Sequence, residues 1–277
     1  MKKDYPFLAS DGEILRISTY FYEDLFTGKT IIFVHGFKGF KDWGFGPFLA
    51  EYFAKCGFFV LTFNFSHNGI GDKYSEFTEL EKFSRNTYTR EIAELNEIIS
   101  AVRNNYFEFA SKSPIGLIGH SRGGAIALIT ASGRDDIGAV ATWASVSNLD
   151  RYSARQKQEW RKNGYLEVLN TRTNQKMRLN DALLDDIELN RAGILNMEKA
   201  VSNLHCPLLI AHGDQDLAVP ISEAEQIYEW ADKSKTELFK IIGTGHTFDI
   251  VHPFAGSGEK FERLLQKTSG FFNKYLM

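Results

Sequence analysis

The chain has 277 residues, of which 43% are hydrophobic and 14% aromatic, and this is enough for one large α/β domain with an inserted subdomain. The formal net charge of -3 and the pI near 6.2 give no electrostatic basis for binding nucleic acid or an anionic membrane. No stretch approaches the length of a membrane span, no apolar run follows the basic N-terminus, and the two cysteines imply no disulfide framework, so we expect a cytoplasmic protein that acts on a small molecule.

The first 65 residues predict an edge hairpin followed by two buried strands. Residues 13–22 alternate weakly after the turn dipeptide Asp11-Gly12, which is typical of an antiparallel edge hairpin. Residues 30–34 form a continuous apolar run, which is typical of a strand buried on both faces of a parallel sheet. The motif His35-Gly36-Phe37 then opens a glycine-rich loop, and a helix over residues 48–55 leads to a second buried strand over residues 58–65.

A long loop and a helix come next. Residues 66–84 are polar and punctuated by glycines, which predicts a loop. Residues 88–102 carry apolar side chains at helical spacing. Both segments separate the second strand from a short apolar run that starts at Ile115, so the order of elements is strand, helix, strand.

The run from Ile115 turns over three glycines and continues with helical character. The turn contains Gly119-x-Ser121-x-Gly123, the nucleophile-elbow pattern, in which a tight strand-to-helix bend holds one serine in a strained conformation with its hydroxyl exposed. Two other glycine motifs lack a required residue: Ser121 replaces the second glycine of a dinucleotide-binding fingerprint, and Ala125 replaces the lysine of a phosphate-binding loop.

The strand–helix alternation breaks after the strand predicted at residues 137–143. Residues 148–204 contain a basic helix, a hairpin with its turn at Thr173-Asn174, and two short helices over residues 181–191 and 197–202. Such an excursion predicts a cap above the carboxyl edge of the sheet. Its basic residues suggest an anionic substrate group, although such charge usually belongs to a solvated face; they are Arg151, Arg155, Lys157, Arg161 and Lys162.

The alternation resumes with strands at residues 207–212 and 237–242 and helices at residues 223–230 and 259–272. The recurring order predicts an α/β fold, a doubly wound and mostly parallel sheet with ligands at the carboxyl ends of its strands. We therefore predict a core domain of residues 1–147 and 205–277, with residues 148–204 as the inserted cap.

A serine nucleophile needs a base and an orienting carboxylate, which in this fold type follow in the order Ser, Asp, His. In the pattern H-G-x-x-D-x-x-V-P, Asp216 is favoured as the acid, while its neighbour Asp214 remains the alternative and is expected to brace the loop. Of the seven histidines, His246 follows the acid and lies on a glycine-rich turn after the last strand. His35, His120 and His212 are interpreted as structural hydrogen-bonding residues.

Acyl transfer also needs two N–H donors aimed at the tetrahedral oxygen. The sequence offers the backbone N–H of Arg122, which follows the nucleophile, and that of Phe37 in the loop opened by His35-Gly36. No metal or other cofactor is expected, because no His, Cys or carboxylate cluster has ligand spacing.

Together, H-G-F, G-H-S-R-G-G, H-G-D-x-D-x-x-V-P and G-x-G-H resemble the α/β-hydrolase superfamily, and the resemblance covers nearly the whole chain outside the cap. Within the superfamily, the chain looks like the feruloyl/cinnamoyl esterase and serine-aminopeptidase-like branch. The resemblance implies Ser121 as nucleophile, Asp216 as acid, His246 as base, and Phe37 and Arg122 as oxyanion donors.

The expected activity is hydrolysis of a small or medium-sized carboxylic ester through an acyl-enzyme on Ser121. A serine peptidase or amidase with the same triad is the alternative, although peptide-cleaving relatives often carry a large extra domain for which this chain has no room. A binding protein without catalysis on the same scaffold is a third hypothesis, and the intact triad argues against it.

Overall fold

The computed structural model describes residues 1–73, 76–107 and 115–276. Eight strands form one sheet in the order β1-β2-β4-β3-β5-β6-β9-β10, and β7 and β8 form a separate two-stranded sheet. The strands are β1 (Lys2–Leu8), β2 (Ile14–Tyr20), β3 (Lys29–Val34), β4 (Phe58–Asn64), β5 (Ile115–His120), β6 (Ile137–Trp143), β7 (Tyr165–Asn170), β8 (Gln175–Asn180), β9 (Leu208–Gly213) and β10 (Thr236–Ile241). From β4 to β10 neighbouring strands of the large sheet are parallel, which confirms the doubly wound, mostly parallel sheet.

Helices cover both faces of this sheet. They are α1 (Gly46–Lys55), α2 (Leu80–Ser84), α3 (Tyr88–Arg103), α4 (Arg122–Ser132), α5 (Ala154–Asn163), α6 (Asp181–Asn190), α7 (Met197–Ser202), α8 (Ile221–Trp230) and α9 (Glu259–Tyr275). Alternate residues of β3 enter different cores: Ile31 and Phe33 pack with α1 and α9, while Ile32 and Val34 pack with α3, α4 and α8. Burial on both faces explains why the parallel strands are continuous apolar runs.

The N-terminal hairpin begins earlier than its alternation suggests. Its first strand, β1, pairs with β2 over all seven residues from Lys2 to Leu8. β1 lies at the edge of the sheet and is largely exposed, so its sequence shows no apolar alternation and tolerates Pro6.

The predicted loop over residues 66–84 ends in a helix. Residues 74 and 75 lie outside the described residues, and α2 occupies the last five positions of the loop. Phe83 of α2 is buried, with its ring 5.7 Å from that of Phe37 and 6.4 Å from that of Phe77. The helix therefore depends on tertiary packing, which a polar five-residue pattern does not reveal.

Between β6 and β9 the chain forms α5, the β7–β8 hairpin, α6 and α7, in the order expected for this segment. The hairpin pairs Tyr165–Asn170 with Gln175–Asn180 in antiparallel register. Among the described residues, the helices are all too short or too polar to cross a bilayer.

Candidate active site

Ser121 lies in the sharp bend between β5 and α4. Its backbone has φ 57° and ψ -124°, a conformation that L-residues rarely adopt and that persists only where the surroundings impose it. A Cβ on Gly119 would lie 2.4 Å from the carbonyl oxygen of Gly123, and one on Gly123 would lie 2.3 Å from that of Val34. The two glycines are thus required because the helix, the elbow and β3 approach too closely for a side chain.

Asp216 and His246 follow neighbouring parallel strands, β9 and β10, and meet at the carboxyl edge of the sheet. The Nδ1 atom of His246 lies 2.7 Å from Oδ2 of Asp216. The other carboxylate oxygen, Oδ1, accepts hydrogen bonds from the backbone N–H groups of Ala218 at 2.8 Å and Val219 at 2.9 Å. Because the side chain is fully buried and both oxygens are engaged, the carboxylate has a single orientation, with one oxygen on the imidazole.

Asp214 has a different place. It is exposed, and its Oδ1 accepts a hydrogen bond from the N–H of Gly243 at 2.6 Å. It braces the loop after β9 against the loop after β10. Of the two neighbouring acids, the structure brings Asp216 to His246.

The environment of Asp216 keeps its carboxyl group ionised. Burial raises its pKa, but hydrogen bonds from His212 and His246 and from the Val219 N–H outweigh burial and hold the pKa well below the ordinary value. An ionised Asp216 is the form that accepts a hydrogen bond from Nδ1–H of His246 and stabilises a positive imidazole.

The three histidines interpreted as structural each make a hydrogen bond near the site. Nε2 of His212 lies 2.8 Å from the Val219 carbonyl oxygen, and Nε2 of His120 lies 2.9 Å from that of His246. Since a carbonyl oxygen only accepts, both Nε2 atoms carry the proton. Burial lowers the pKa of His120 to about 3, so this residue is neutral at pH 7 and holds the backbone of His246.

His35 orients the peptide that carries the N–H of Phe37. Its Nδ1 lies 3.0 Å from the Gly36 carbonyl oxygen, and its Nε2 accepts a hydrogen bond from the Phe65 N–H at 3.3 Å. In a planar trans peptide the C=O and N–H groups point in opposite directions, so fixing the Gly36 oxygen fixes the direction of the Phe37 N–H. A Cβ on Gly36 would lie 3.4 Å from Oγ of Ser121, which places this peptide beside the hydroxyl.

The second predicted donor, the N–H of Arg122, belongs to the first turn of α4, where N–H groups have no partner within the helix. Within the part of the chain that the structure describes, neither this N–H nor that of Phe37 donates to a protein acceptor. Both donors therefore remain available to an oxygen bound at Ser121.

The side chain of Arg122 contacts the residue that carries the other donor, Phe37. It also pairs with a carboxylate that the sequence did not indicate. Its Nη2 lies 2.6 Å from Oε1 of the fully buried Glu91, and its guanidinium lies 4.8 Å from the centre of the Phe37 ring. Glu91 is on α3, 31 residues away, and no local motif indicates the pairing. The ion pair fixes the guanidinium beside the Phe37 ring, which also stacks on the ring of Phe83.

A methyl group on residue 36 should disturb the site. It would lie 2.8 Å from Cβ of Ser121 and 2.9 Å from the His120 carbonyl oxygen, so the loop carrying Phe37 must shift. Because loss of one oxyanion donor costs about 10²–10³ in kcat, we expect Gly36→Ala to lower kcat by that order. Gly193→Ala is the control, since its methyl would meet only the Asn190 oxygen at 3.7 Å. A folded Gly36→Ala protein with unchanged kcat would contradict this account of the loop.

Burial of His35 should make stability depend on pH. Burial lowers its pKa to about 4. As the pH falls below about 6.5, the unfolded chain binds a proton at residue 35 that the folded protein does not, and unfolding is favoured by up to about 3 kcal/mol near pH 4. The His35→Asn variant has no imidazole at residue 35, so its stability lacks this pH-dependent contribution. We therefore expect its stability deficit, measured by urea denaturation, to be smaller at pH 5 than at pH 7.5; a deficit independent of pH would contradict the burial of a neutral His35.

Two cavities meet at Ser121. The small cavity, of about 90 Å³, has mainly aromatic walls, and the large cavity, of about 390 Å³, lies beside Arg122 and residues 146–152. Phe37, Lys38, Ser121 and His246 line both. Ser121 thus has separate space on either side for two parts of a bound molecule.

A family model described as the prolyl oligopeptidase family matches residues 43–277 of this chain. The matched range includes Ser121, Asp216 and His246 and begins after Phe37. The chain belongs to the prolyl oligopeptidase family. Among curated proteins there is no significant match.

Solved structures share the fold of this prolyl oligopeptidase family member. An α/β hydrolase, GrgF from Penicillium sp. sh18, is 17% identical with a TM-score of 0.77, covering 100% of this chain and 99% of its own. A putative hydrolase from Agrobacterium vitis S4 is 17% identical with a TM-score of 0.74, covering 98% and 99%. Est1E from Butyrivibrio proteoclasticus, solved with ferulic acid bound, is 19% identical with a TM-score of 0.71, covering 97% and 98%.

The family and the fold agree with the resemblance of the motifs. This prolyl oligopeptidase family member has the α/β-hydrolase fold and belongs to the α/β-hydrolase superfamily. It is a hydrolase of the esterase or peptidase type.

Proposed function

We propose that the protein is a serine hydrolase that cleaves a carboxylic ester through an acyl-enzyme on Ser121. The observation that carries the proposal is the 2.7 Å contact between His246 and the buried Asp216, on loops that bring His246 to the cavities lined by Ser121. In the proposed roles, Ser121 is the nucleophile, His246 the base, Asp216 the acid, and the N–H groups of Phe37 and Arg122 form the oxyanion hole.

The proposed reaction has two halves. The hydroxyl of Ser121 attacks the ester carbonyl carbon while Nε2 of His246 takes its proton, and the ionised Asp216 stabilises the imidazolium that results. The tetrahedral oxyanion receives hydrogen bonds from the N–H groups of Phe37 and Arg122. His246 then protonates the leaving alkoxide, and a water molecule activated by the same imidazole releases the acid from Ser121.

The walls of the cavities support an ester rather than a peptide with a free amino terminus. No acidic side chain lines either cavity among the described residues. Two lining cations, Arg122 and Arg151, pair with Glu91 and Glu223 outside the cavities. The other two, Lys38 and Arg172, have no carboxylate partner among the described residues. A substrate ammonium group would therefore meet like charge. The esterase domain of a Rhodothermus marinus protein and esterase Pf2001 from Pyrococcus furiosus, both similar in fold, are named as esterases.

The second candidate is a serine peptidase or amidase with the same triad. The match to the prolyl oligopeptidase family favours it, and amide and ester cleavage share every step of the mechanism. The same residues would carry the chemistry, so only substrate preference separates the two functions.

Two measurements test the proposal. A fluorophosphonate probe should label the wild-type protein at Ser121, which a binding protein without catalysis would not show. Matched p-nitrophenyl ester and p-nitroanilide substrates with the same acyl group should then be compared by kcat/KM. Preference for the ester beyond its greater intrinsic reactivity supports an esterase, preference for the anilide supports a peptidase, and absence of labelling and turnover contradicts both.

We also propose that residues 148–204 act as a cap. The β7–β8 hairpin contacts the loop that carries Phe37: the Lys38 ammonium donates to the Leu169 carbonyl oxygen at 2.9 Å, and the Arg172 guanidinium donates to the Lys38 carbonyl oxygen at 2.5 Å. These contacts support a role in shaping the substrate site without supplying the chemistry.

A further inference from the structure

Most of the positive charge in the basic helix of the proposed cap is paired with carboxylates. Of the five cations in and before α5, four pair with a carboxylate, and the fifth, Lys162, is exposed and lines neither the small nor the large cavity. The pairs are Arg151 with Glu223, Arg155 with Glu159 at 2.9 Å, Lys157 with Asp150 at 2.5 Å, and Arg161 with Asp185 at 2.5 Å and Glu188 at 2.8 Å.

Two other cations, Lys38 and Arg172, line the small cavity together with Ser121. Lys38 is half-buried in the loop next to Phe37, and Arg172 is in the turn between β7 and β8, with its guanidinium 5.2 Å from the centre of the Trp43 ring. Among the described residues, neither forms an ion pair with a carboxylate. Burial, and then the charge of Arg172, lowers the pKa of Lys38, as expected for neighbouring cations without a counter-ion.

Both side chains keep donors for a ligand. An ammonium has three N–H donors and a guanidinium has five. Within the described ranges, the Lys38 ammonium has one protein acceptor, the Leu169 oxygen, and the Arg172 guanidinium has one, the Lys38 oxygen. The remaining walls are mostly aromatic and give the two cations no compensating charge.

We propose that the substrate carries a carboxylate on the half that enters the small cavity, held by Lys38 and Arg172. The planar fork of a guanidinium matches a carboxylate, and the cavity of about 90 Å³ places that group only a few atoms from the scissile carbonyl. The substrate class is then a short half-ester or a carboxylated alcohol ester. This inference rests on the proposed ester hydrolysis.

The experiment compares charged and neutral esters in two arms. One arm measures kcat/KM for the p-nitrophenyl monoester of glutaric acid against p-nitrophenyl pentanoate; the other compares 4-acetoxybenzoate with phenyl acetate. In the arm whose charged half enters the small cavity, the wild-type protein should have a higher kcat/KM for the charged ester than for the neutral one. Arg172→Gln should reduce that charged-to-neutral ratio by about 10-fold, since it removes the charge-assisted hydrogen bonds to the carboxylate at an exposed position where solvent screens the charge.

The matched variants separate charge from position. Arg172→Lys keeps the positive charge and should retain most of the ratio, whereas Lys38→Gln should lower it. Arg155→Gln is the control, because this arginine is exposed on α5 and pairs with Glu159. This variant should leave kcat/KM unchanged for the charged and the neutral ester. Added salt should reduce the wild-type preference, as screening weakens an exposed charge pair.

A binding measurement keeps this inference separate from the proposed function. Glutarate binding, followed by tryptophan fluorescence because Trp43 adjoins Arg172, does not require turnover. If glutarate binding weakens in Arg172→Gln but the wild-type protein hydrolyses no ester, only the proposed function is contradicted. Equal charged-to-neutral ratios in wild type and Arg172→Gln, with glutarate binding independent of Arg172, would overturn the carboxylate site.

Discussion

Replacing Ser121 with alanine is expected to abolish ester hydrolysis and fluorophosphonate labelling together. The hydroxyl is the only group proposed to form the acyl-enzyme, and it lies in a bend whose conformation is set by neighbouring backbone rather than by the hydroxyl. Loss of a triad nucleophile costs on the order of 10⁶ in kcat in comparable hydrolases. The measurement is kcat with a p-nitrophenyl ester, together with mass spectrometry of the labelled protein.

Ser132→Ala provides the matched control for this serine. Ser132 ends α4, and its hydroxyl donates to the Ile129 carbonyl oxygen, so its loss should alter neither labelling nor kcat. If Ser121→Ala retained wild-type turnover, the nucleophile would lie elsewhere in the chain and the proposed mechanism would be wrong.

Replacing Asp216 with asparagine should lower kcat by on the order of 10³–10⁴, the second largest effect. The two backbone N–H donors on Oδ1 hold the amide oxygen of asparagine, which turns its NH₂ group toward Nδ1 of His246. Two donors cannot bond each other, so the imidazole must place its proton on Nε2, and it then has no lone pair to accept the Ser121 proton. KM should change much less than kcat, because Asp216 is proposed to act on the imidazole rather than on the substrate.

Asp214→Asn is the control for the acid. Its carboxylate accepts one bond from the Gly243 N–H on the surface, a bond that an asparagine oxygen also accepts, so kcat should stay close to wild type. A larger loss of kcat in Asp214→Asn than in Asp216→Asn would reverse the assignment of the acid.

The sequence by itself determines the fold because its signals are local. Continuous apolar runs at β3, β4, β5, β6 and β9 correspond to burial on both faces of a parallel sheet, and they predict those strands to within a residue or two. The elbow is equally local, since Gly119 and Gly123 are needed where helix and strand lie too close together to leave room for a Cβ atom. Fold and elbow therefore follow from residues that are close along the chain.

Between Asp214 and Asp216 the sequence states only a preference. Both acids follow β9 within three residues, and either carboxylate is long enough to reach an imidazole. In the structure, the N–H groups of Ala218 and Val219 hold Asp216 toward His246, while Gly243 holds Asp214 at the surface, and this difference supports Asp216 as the proposed acid.

Only the tertiary structure decides which charges face the small and large cavities. Arg151, Lys157 and Arg161 look available in the sequence, but their carboxylate partners come from α8, an adjoining turn and α6. Arg122 forms an ion pair with Glu91 on α3, and the Arg172 guanidinium donates a hydrogen bond to the carbonyl oxygen of Lys38, 134 residues earlier in the chain. Charge pairing depends on distance in space, and a sequence motif records only distance along the chain; the elbow was therefore predictable and the cationic walls of the small cavity were not.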